Sequence, residues 1–281
     1  MTATTRTTIA VPEAPSSILG QLRWTLADAW VLTLRGLNHW IRQPLQVLAG
    51  WAFMIMLIAL YGLLFGGAMR VPGGGSYMEF LLPGMFVMTM AFGIGETMNA
   101  ISVDAERGVT DRFRSMPMAS SAVVLGRSIT DMLYSIVGLV VMVVAGLVLG
   151  WRWHGGIGET LAAFGLLLLL RFAMLWVGIF LGLIIPGPSA VNAVWTVLFP
   201  LTMVTAAFAP PETMPGWLGA IAEWNPLSAT IYATRDLFGN PGIGGSSFVS
   251  DNAIPLAVAW PLLIIAVLLP LSVHRYRHRS R

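Results

Sequence analysis

Residues 160–185 read TLAAFGLLLLLRFAMLWVGIFLGLII, a run in which Arg171 is the one charged side chain. The hydrocarbon core of a bilayer is about 30 Å thick, and a helix needs roughly 20 apolar residues to cross it. This run is long enough to cross, and its composition predicts a transmembrane helix. Pro186-Gly187-Pro188 follows at once. That triplet makes a tight turn, so the apolar sequence beyond it reads as a second helix folded back beside the first.

Working outward, five further stretches meet the same criterion, which predicts spans over 47–67, 81–103, 128–150, 160–185, 190–209 and 253–273. The remaining composition agrees. Of the 281 residues, 56% are hydrophobic and 10% charged, with a mean hydropathy of +0.76. A soluble domain carries about 25% charged residues, so this chain lacks the polar surface to coat a water-facing globule. The fold class is an all-α membrane protein of six transmembrane helices. A disordered chain, a nucleic-acid-binding domain and a disulfide scaffold are disfavoured by the same figures.

What is missing is equally informative. Cysteine is absent, which removes disulfides, thiolate nucleophiles and cysteine metal sites. All 16 basic residues are arginine. A phosphate-binding Walker A loop uses a lysine to reach the β- and γ-phosphates, so this chain does not hydrolyse ATP by that route. No HExxH, Gly-x-Ser-x-Gly or paired-carboxylate motif occurs. His274 and His278 have the i,i+4 spacing of a metal pair but stand in an arginine-rich tail without a neighbouring carboxylate, and no metal site is assigned. The Gly-rich stretch 239–245 reads as a turn and not as a phosphate cradle.

Arginine placement gives orientation. Arg6, Arg23, Arg35 and Arg42 precede the first span; Arg107, Arg112, Arg114 and Arg127 lie between the second and third; Arg275, Arg277, Arg279 and Arg281 follow the sixth. Only Arg70, Arg152 and Arg235 fall on the opposite side. The excess of basic residues marks the cytoplasmic side, so both termini are expected there, as an even number of spans requires. The first apolar run long enough for a signal peptide begins near residue 47, and no cleavable leader is expected.

The segments between spans divide the chain further. Residues 1–17 are rich in Thr, Ala and Pro and read as a disordered tail. Over 18–44, Leu19, Leu22, Leu26, Trp30, Leu34, Leu37 and Ile41 recur every three or four residues while polar groups take other faces. This predicts an amphipathic helix lying in the membrane surface. The six-helix domain then occupies 45–273, and the basic tail 274–281 suits anionic headgroups.

The loop 104–127 is the most polar link between spans. It carries Glu106-Arg107-Gly108-Val109-Thr110-Asp111-Arg112-Phe113, then Met116-Pro117 and Gly126-Arg127. This resembles the cytoplasmic loop of ABC-2 type permeases, E-x-G-T-x-x-x-L followed by P and G-K/R, with Val109 and Phe113 departing from the usual Thr and Leu. A second block runs through Phe199-Pro200-Leu201-Thr202, Phe208-Ala209-Pro210, Met214-Pro215-Gly216-Trp217-Leu218, Trp224-Asn225-Pro226-Leu227 and Arg235-Asp236-Leu237. It is similar to the daunorubicin-resistance type of bacterial drug-export permease.

The resemblance implies a permease subunit in the bacterial inner membrane, paired with a second copy or a paralogue and driven by a separate ATP-binding cassette ATPase that holds ATP and Mg. It implies export of an amphipathic drug, natural product or lipid, without nucleic-acid partners and with no cofactor in this chain. A coupling role is implied for Glu106, Arg107, Gly108, Thr110, Arg112, Phe113 and Pro117. The loop 210–252 is expected to form short helices dipping into the outer leaflet. A lipid-linked glycan exporter of the same fold, and a proton-coupled carrier independent of ATP, stay open as alternatives.

Two ionisable residues fall well inside spans, Glu96 and Arg171, and Asp131 lies near the inner end of the third. Charges at such depth cost on the order of 2.5–3.5 kcal/mol by insertion scales and face a bundle interior or water. Both are therefore expected to face inward, lining a route or forming an ion pair, with Asn99 one turn from Glu96 and Asp131 as a further partner. Phe92, Met98, Phe199 and Met203 are taken as apolar lining of the same route.

Overall fold

The computed structural model describes residues 17–42, 44–67, 71, 74–106, 120–185, 187–242 and 247–278. Over these the chain is helical. The helices are α1 Ile18–Arg42, α2 Pro44–Phe65, α3 Tyr77–Glu106, α4 Ser120–Val148, α5 Ile157–Ile184, α6 Pro188–Met203, α7 Gly216–Trp224, α8 Pro226–Phe238, α9 Phe248–Asp251 and α10 Ala253–His278, with a 3₁₀ turn at Pro211–Thr213. Five of them, α2, α3, α4, α5 and α10, are long and apolar enough to cross a membrane. The apolar part of α6, Val191–Met203, is shorter.

The fifth predicted span thus differs from the observed helix. The apolar run over 190–209 reads as one span, but α6 ends at Met203 with Pro200 in its last turn. The following residues Thr205, Ala206 and Ala207 are non-helical and fully buried. Helix α4 also begins at Ser120, inside the stretch taken as loop, so that Arg127 stands within it with Asp131 one turn on. The break expected there is present, since α5 ends at Ile184 and α6 opens at Pro188. Gly187 has φ 103°, a conformation that suits glycine, and Pro188 opens α6 at a position where its missing N–H is harmless.

Helix α3 is the axis of the bundle. From Tyr77 to Met98 every residue is buried except Glu79, Thr89, Phe92 and Glu96. Helix α5 packs along it at close range: a Cβ on Gly178 would stand 2.7 Å from the Ile94 carbonyl oxygen, and one on Gly182 would stand 2.9 Å from the Ile101 Cβ. Small residues spaced by four let helix backbones approach in this way. The outer faces of α2 and α10 are largely exposed, as lipid-facing helices require.

Helix α1 lies against the first half of α4. Thr33 donates to the Gly126 carbonyl at 3.2 Å, and Trp40 meets Tyr134 edge-on at 5.0 Å. Its packed face consists of small residues such as Ala29 and Thr33, whereas Leu19, Leu22, Leu26, Trp30 and Ile41 remain exposed. The apolar stripe of this helix is uncovered by the rest of the chain.

Helix α8 is short and buried on every side from Leu227 to Arg235, and its polar residues close the break after α6. Asn225 Nδ2 donates to the Leu201 and Val204 carbonyls, each at 3.0 Å. Ser228 Oγ accepts from the Ala206 amide at 3.0 Å. Arg235 donates to Ala206 and Ala207 carbonyls at 2.7 and 3.2 Å and to the Phe80 carbonyl at 2.9 Å, while its guanidinium lies 3.7 Å from the centre of the Phe80 ring. Beyond Gly239, Asn240 accepts from Trp151 Nε1 at 2.9 Å and donates to the Arg152 carbonyl at 2.7 Å, which ties α8 to the α4–α5 link.

Two outcomes follow from this packing. Gly182→Leu should destabilise the purified protein by roughly 1–3 kcal/mol, the usual penalty of overpacking, whereas Gly165→Leu on the same helix, which meets nothing within 4 Å, should leave the thermal unfolding midpoint in detergent almost unchanged. Arg235→Met strands three buried carbonyls, at about 1–3 kcal/mol each, and should abolish the folded peak in size-exclusion chromatography, with Arg235→Lys recovering part of it.

Candidate functional site: a polar strip on the central helix

Helices α2 and α6 each pack on α3, and between them α3 shows its exposed side. The residues there are Phe92, Glu96 and Asn99, spaced at i, i+4 and i+7 and so sharing one face. Glu96 and Asn99 are exposed, and Phe92 is half-buried. On the α6 side the Trp195 indole lies against the Gly95 backbone, and its ring centre is 5.3 Å from that of Phe92. Phe199 stacks on Phe92 at 6.2 Å. On the other side the Tyr134 hydroxyl lies beside the Glu96 carboxylate. Gly50 of α2 leaves room beside both, since a Cβ there would stand 3.7 Å from the hydroxyl and 4.0 Å from Glu96 Oε1. Toward the end of α2, Tyr61 meets Phe208 at 4.8 Å, so the two walls touch there.

The adjacent face of α3, about 100° round the helix, carries a second polar group directed into the bundle. Arg171 Nε donates to Ser135 Oγ at 2.6 Å, and Nη2 donates to Thr97 Oγ1 at 3.2 Å. Thr97 in turn donates to Asp131 Oδ2 at 2.7 Å, and Arg127 Nε stands 3.0 Å from Asp131 Oδ1. Gly93 makes space for this group, because a Cβ there would collide with the guanidinium. Arg171 is thus held by two hydroxyls and, through Thr97, by a carboxylate, while its buried Nη1 has no hydrogen-bond partner.

The expected inward pair is therefore split. Arg171 faces the interior, at 1% exposure, whereas Glu96 is exposed; among the described residues the two form no direct ion pair, although each still acts on the other's charge. Of the residues taken to line a route, Phe92, Glu96, Asn99 and Phe199 come together on the strip. Met98 is fully buried, and Met203 is half-buried against the core cluster. Asp131 proves to be the carboxylate nearest to Arg171 in the hydrogen-bonded chain, while Thr97 and Ser135, which mediate it, gave no signal in the sequence beyond ordinary polar residues in spans. Trp195 and Tyr134 were also silent, since aromatic residues are common in membrane helices.

Among the coupling residues, Glu106 is the last residue of α3. Arg107, Gly108, Thr110, Arg112, Phe113 and Pro117 lie outside the described residues.

Comparison with known proteins bears on this arrangement. The profile of the ABC-2 type transporter family matches residues 27–238, from the middle of α1 to the end of α8. The Daunorubicin resistance ABC transporter permease protein DrrB1 of Streptomyces coeruleorubidus is 30% identical over 98% of this chain and 93% of its own length. The Probable doxorubicin resistance ABC transporter permease protein DrrC of Mycobacterium tuberculosis is 23% identical over 82% of this chain and 85% of its own. With the matched region containing α3, its polar strip and the helix α8 that closes the break after α6, this multi-pass membrane protein belongs to the ABC-2 type transporter family of permeases.

Proposed function

We propose that this chain is the permease half of an exporter in the bacterial inner membrane, which moves an amphipathic drug, natural product or lipid outward while a separate ATPase subunit binds ATP and Mg and supplies the work. The similarity to drug-resistance permeases supports the substrate class, and the absence of lysine leaves no Walker A loop in the chain itself.

One observation carries the mechanism. Helix α3 runs from Tyr77 to Glu106 with Pro83 near its outer end, and from Gly84 to Glu106, at the start of the coupling loop, it contains no further proline. At a rise of about 1.5 Å per residue, Glu106 and the Glu96 strip are roughly 15 Å apart along one rigid rod. A push delivered to the loop 104–127 therefore reaches the strip directly. It also reaches the outer end, where the Phe80 carbonyl is bonded to Arg235 and so to the non-helical link after α6.

The remaining elements take consistent roles. Both termini are cytoplasmic. The uncovered stripe of α1 rests in the inner leaflet surface, which its exposed Leu19, Leu22, Leu26 and Trp30 suit. Residues 210–252 face outward, with Trp217 and Trp224 exposed on α7 at the level of the outer headgroups. A second copy or a paralogue faces the polar strip, and solute passes between them. Six crossings, with α6 completed by the non-helical residues to 209, keep the termini on one side.

Substitution in the coupling loop tests this reading. Glu106→Ala and Phe113→Ala should reduce copurification of the ATPase, or lower ATP-driven efflux at least tenfold, while membrane insertion measured by fractionation stays normal. Full efflux and association in both variants would contradict the coupling role.

A further inference from the structure

We propose that Glu96 is a two-position carboxylate: it stands in the exposed crevice beside Tyr134 while the strip is wet, and turns onto Arg171 Nη1 as a buried ion pair when the strip closes. The inference goes beyond the exporter reading, since it concerns two side chains of this chain and holds whatever drives the protein.

Charge balance inside the bundle is the first ground. Arg127, Asp131 and Arg171 form one polar group joined through Thr97, two arginines against one aspartate, so the group is left with an excess of positive charge. That excess has a definite address. Nη1 of Arg171 is buried and unpartnered, while Nε and Nη2 are taken by Ser135 and Thr97. Leaving a buried donor of a charged group unmet is costly, and membrane depth adds to the cost. Asp131 is not free to meet it, because both of its oxygens are engaged, one by Thr97 and the other by Arg127. Glu96 is the other carboxylate that feels the group: Arg171 and Arg127 both act on its charge. With Glu96 included, the four ionisable residues are neutral together.

The backbone between the two side chains leaves room for the turn. The Arg171 guanidinium rests directly on Gly93, where a Cβ would stand 2.6 Å from Nη1. Glu96 follows three residues later, about 60° round the helix, and helical side chains lean back over the preceding turn. Its stem therefore leans toward the residue whose lack of a Cβ brings Nη1 to the surface of α3. In the present position the carboxylate is exposed, beside Gly50 of α2 and the Tyr134 hydroxyl, and among the described residues it makes no ion pair with Arg171. Water in the crevice solvates it there. Covering the strip, which Phe92, Trp195 and Phe199 border with rings, removes that water and strengthens the attraction between the two charges. A carboxylate deprived of solvent then finds its best partner in the one guanidinium nitrogen left unmet.

Solid-state NMR on the full-length protein in bilayers, isotope-labelled at glutamate carboxyl carbons and arginine guanidinium nitrogens, reads the pair directly. A dipolar contact between the two labels is expected in the native protein and should vanish in Glu96→Gln. Its absence from the native protein, or its persistence in Glu96→Gln, overturns the ion pair. Opening of the strip is read separately. The chain contains no cysteine, so Asn99→Cys places a single thiol on the exposed face, and its rate of reaction with a neutral, water-soluble methanethiosulfonate reports how often the strip is wet. Adding Glu96→Gln should speed that reaction about tenfold, the change in an equilibrium for losing one charge-assisted hydrogen bond. Glu96→Asp, which keeps the charge but is one methylene short of Nη1, should speed it likewise. An unchanged or slower rate in Glu96→Gln overturns the switch, and so does acceleration by Glu96→Gln with Glu96→Asp at the native rate, which marks a bare charge effect on the thiol.

Discussion

Backbone that leaves helical geometry inside an apolar environment must find hydrogen-bond partners from the protein itself, because lipid offers none. The link after α6 sets this constraint. Its carbonyls and amides at Leu201, Val204, Ala206 and Ala207 are met by Asn225, Ser228 and Arg235 of one buried helix. Everything at that end of the molecule is arranged around that closure. Helix α8 is drawn inside the bundle, Arg235 also grips the start of α3 through the Phe80 carbonyl, and Asn240 fastens the end of α8 to the α4–α5 link. The break is thus a built joint between α6 and the central helix.

Helix α3 connects this joint to the opposite side of the membrane. It is buried over most of its length, and it carries two polar groups on adjacent faces. The inner group, from Arg127 through Asp131 and Thr97 to Arg171, fastens α3 to α4 and α5. The other group, Glu96 with Asn99, is exposed.

Much of this was legible in the sequence. Hydropathy identified the apolar helices α2, α3, α4, α5 and α10 because each is a long run with few charges, and the Pro-Gly-Pro turn separated α5 from α6 through the restrictions of its residues. The heptad-like recurrence over 18–42 placed α1. The length of α6 was not legible, because residues 204–209 are as apolar as a helix interior, and what ends the helix is the supply of partners from Asn225 and Arg235, far along the chain. The direction of Glu96 was equally hidden. Periodicity shows which residues share a face of α3, but only packing shows that Gly93 and Thr97 take the face toward α5 and so turn Glu96 outward. The Gly178 and Gly182 contact with α3 was missed for the same reason, as many glycines stand four apart in apolar helices.

The central claim is a division of labour: a lipid-embedded gate whose central helix is moved by a motor on another polypeptide. Its most direct measurement compares liposomes holding the permease alone, the partner ATPase alone, and both, with ATP supplied and amphiphile movement followed over time. Movement that requires both proteins and ATP is the result predicted here. Movement at the full rate by the permease alone, driven by a pH gradient and indifferent to ATP, would contradict it.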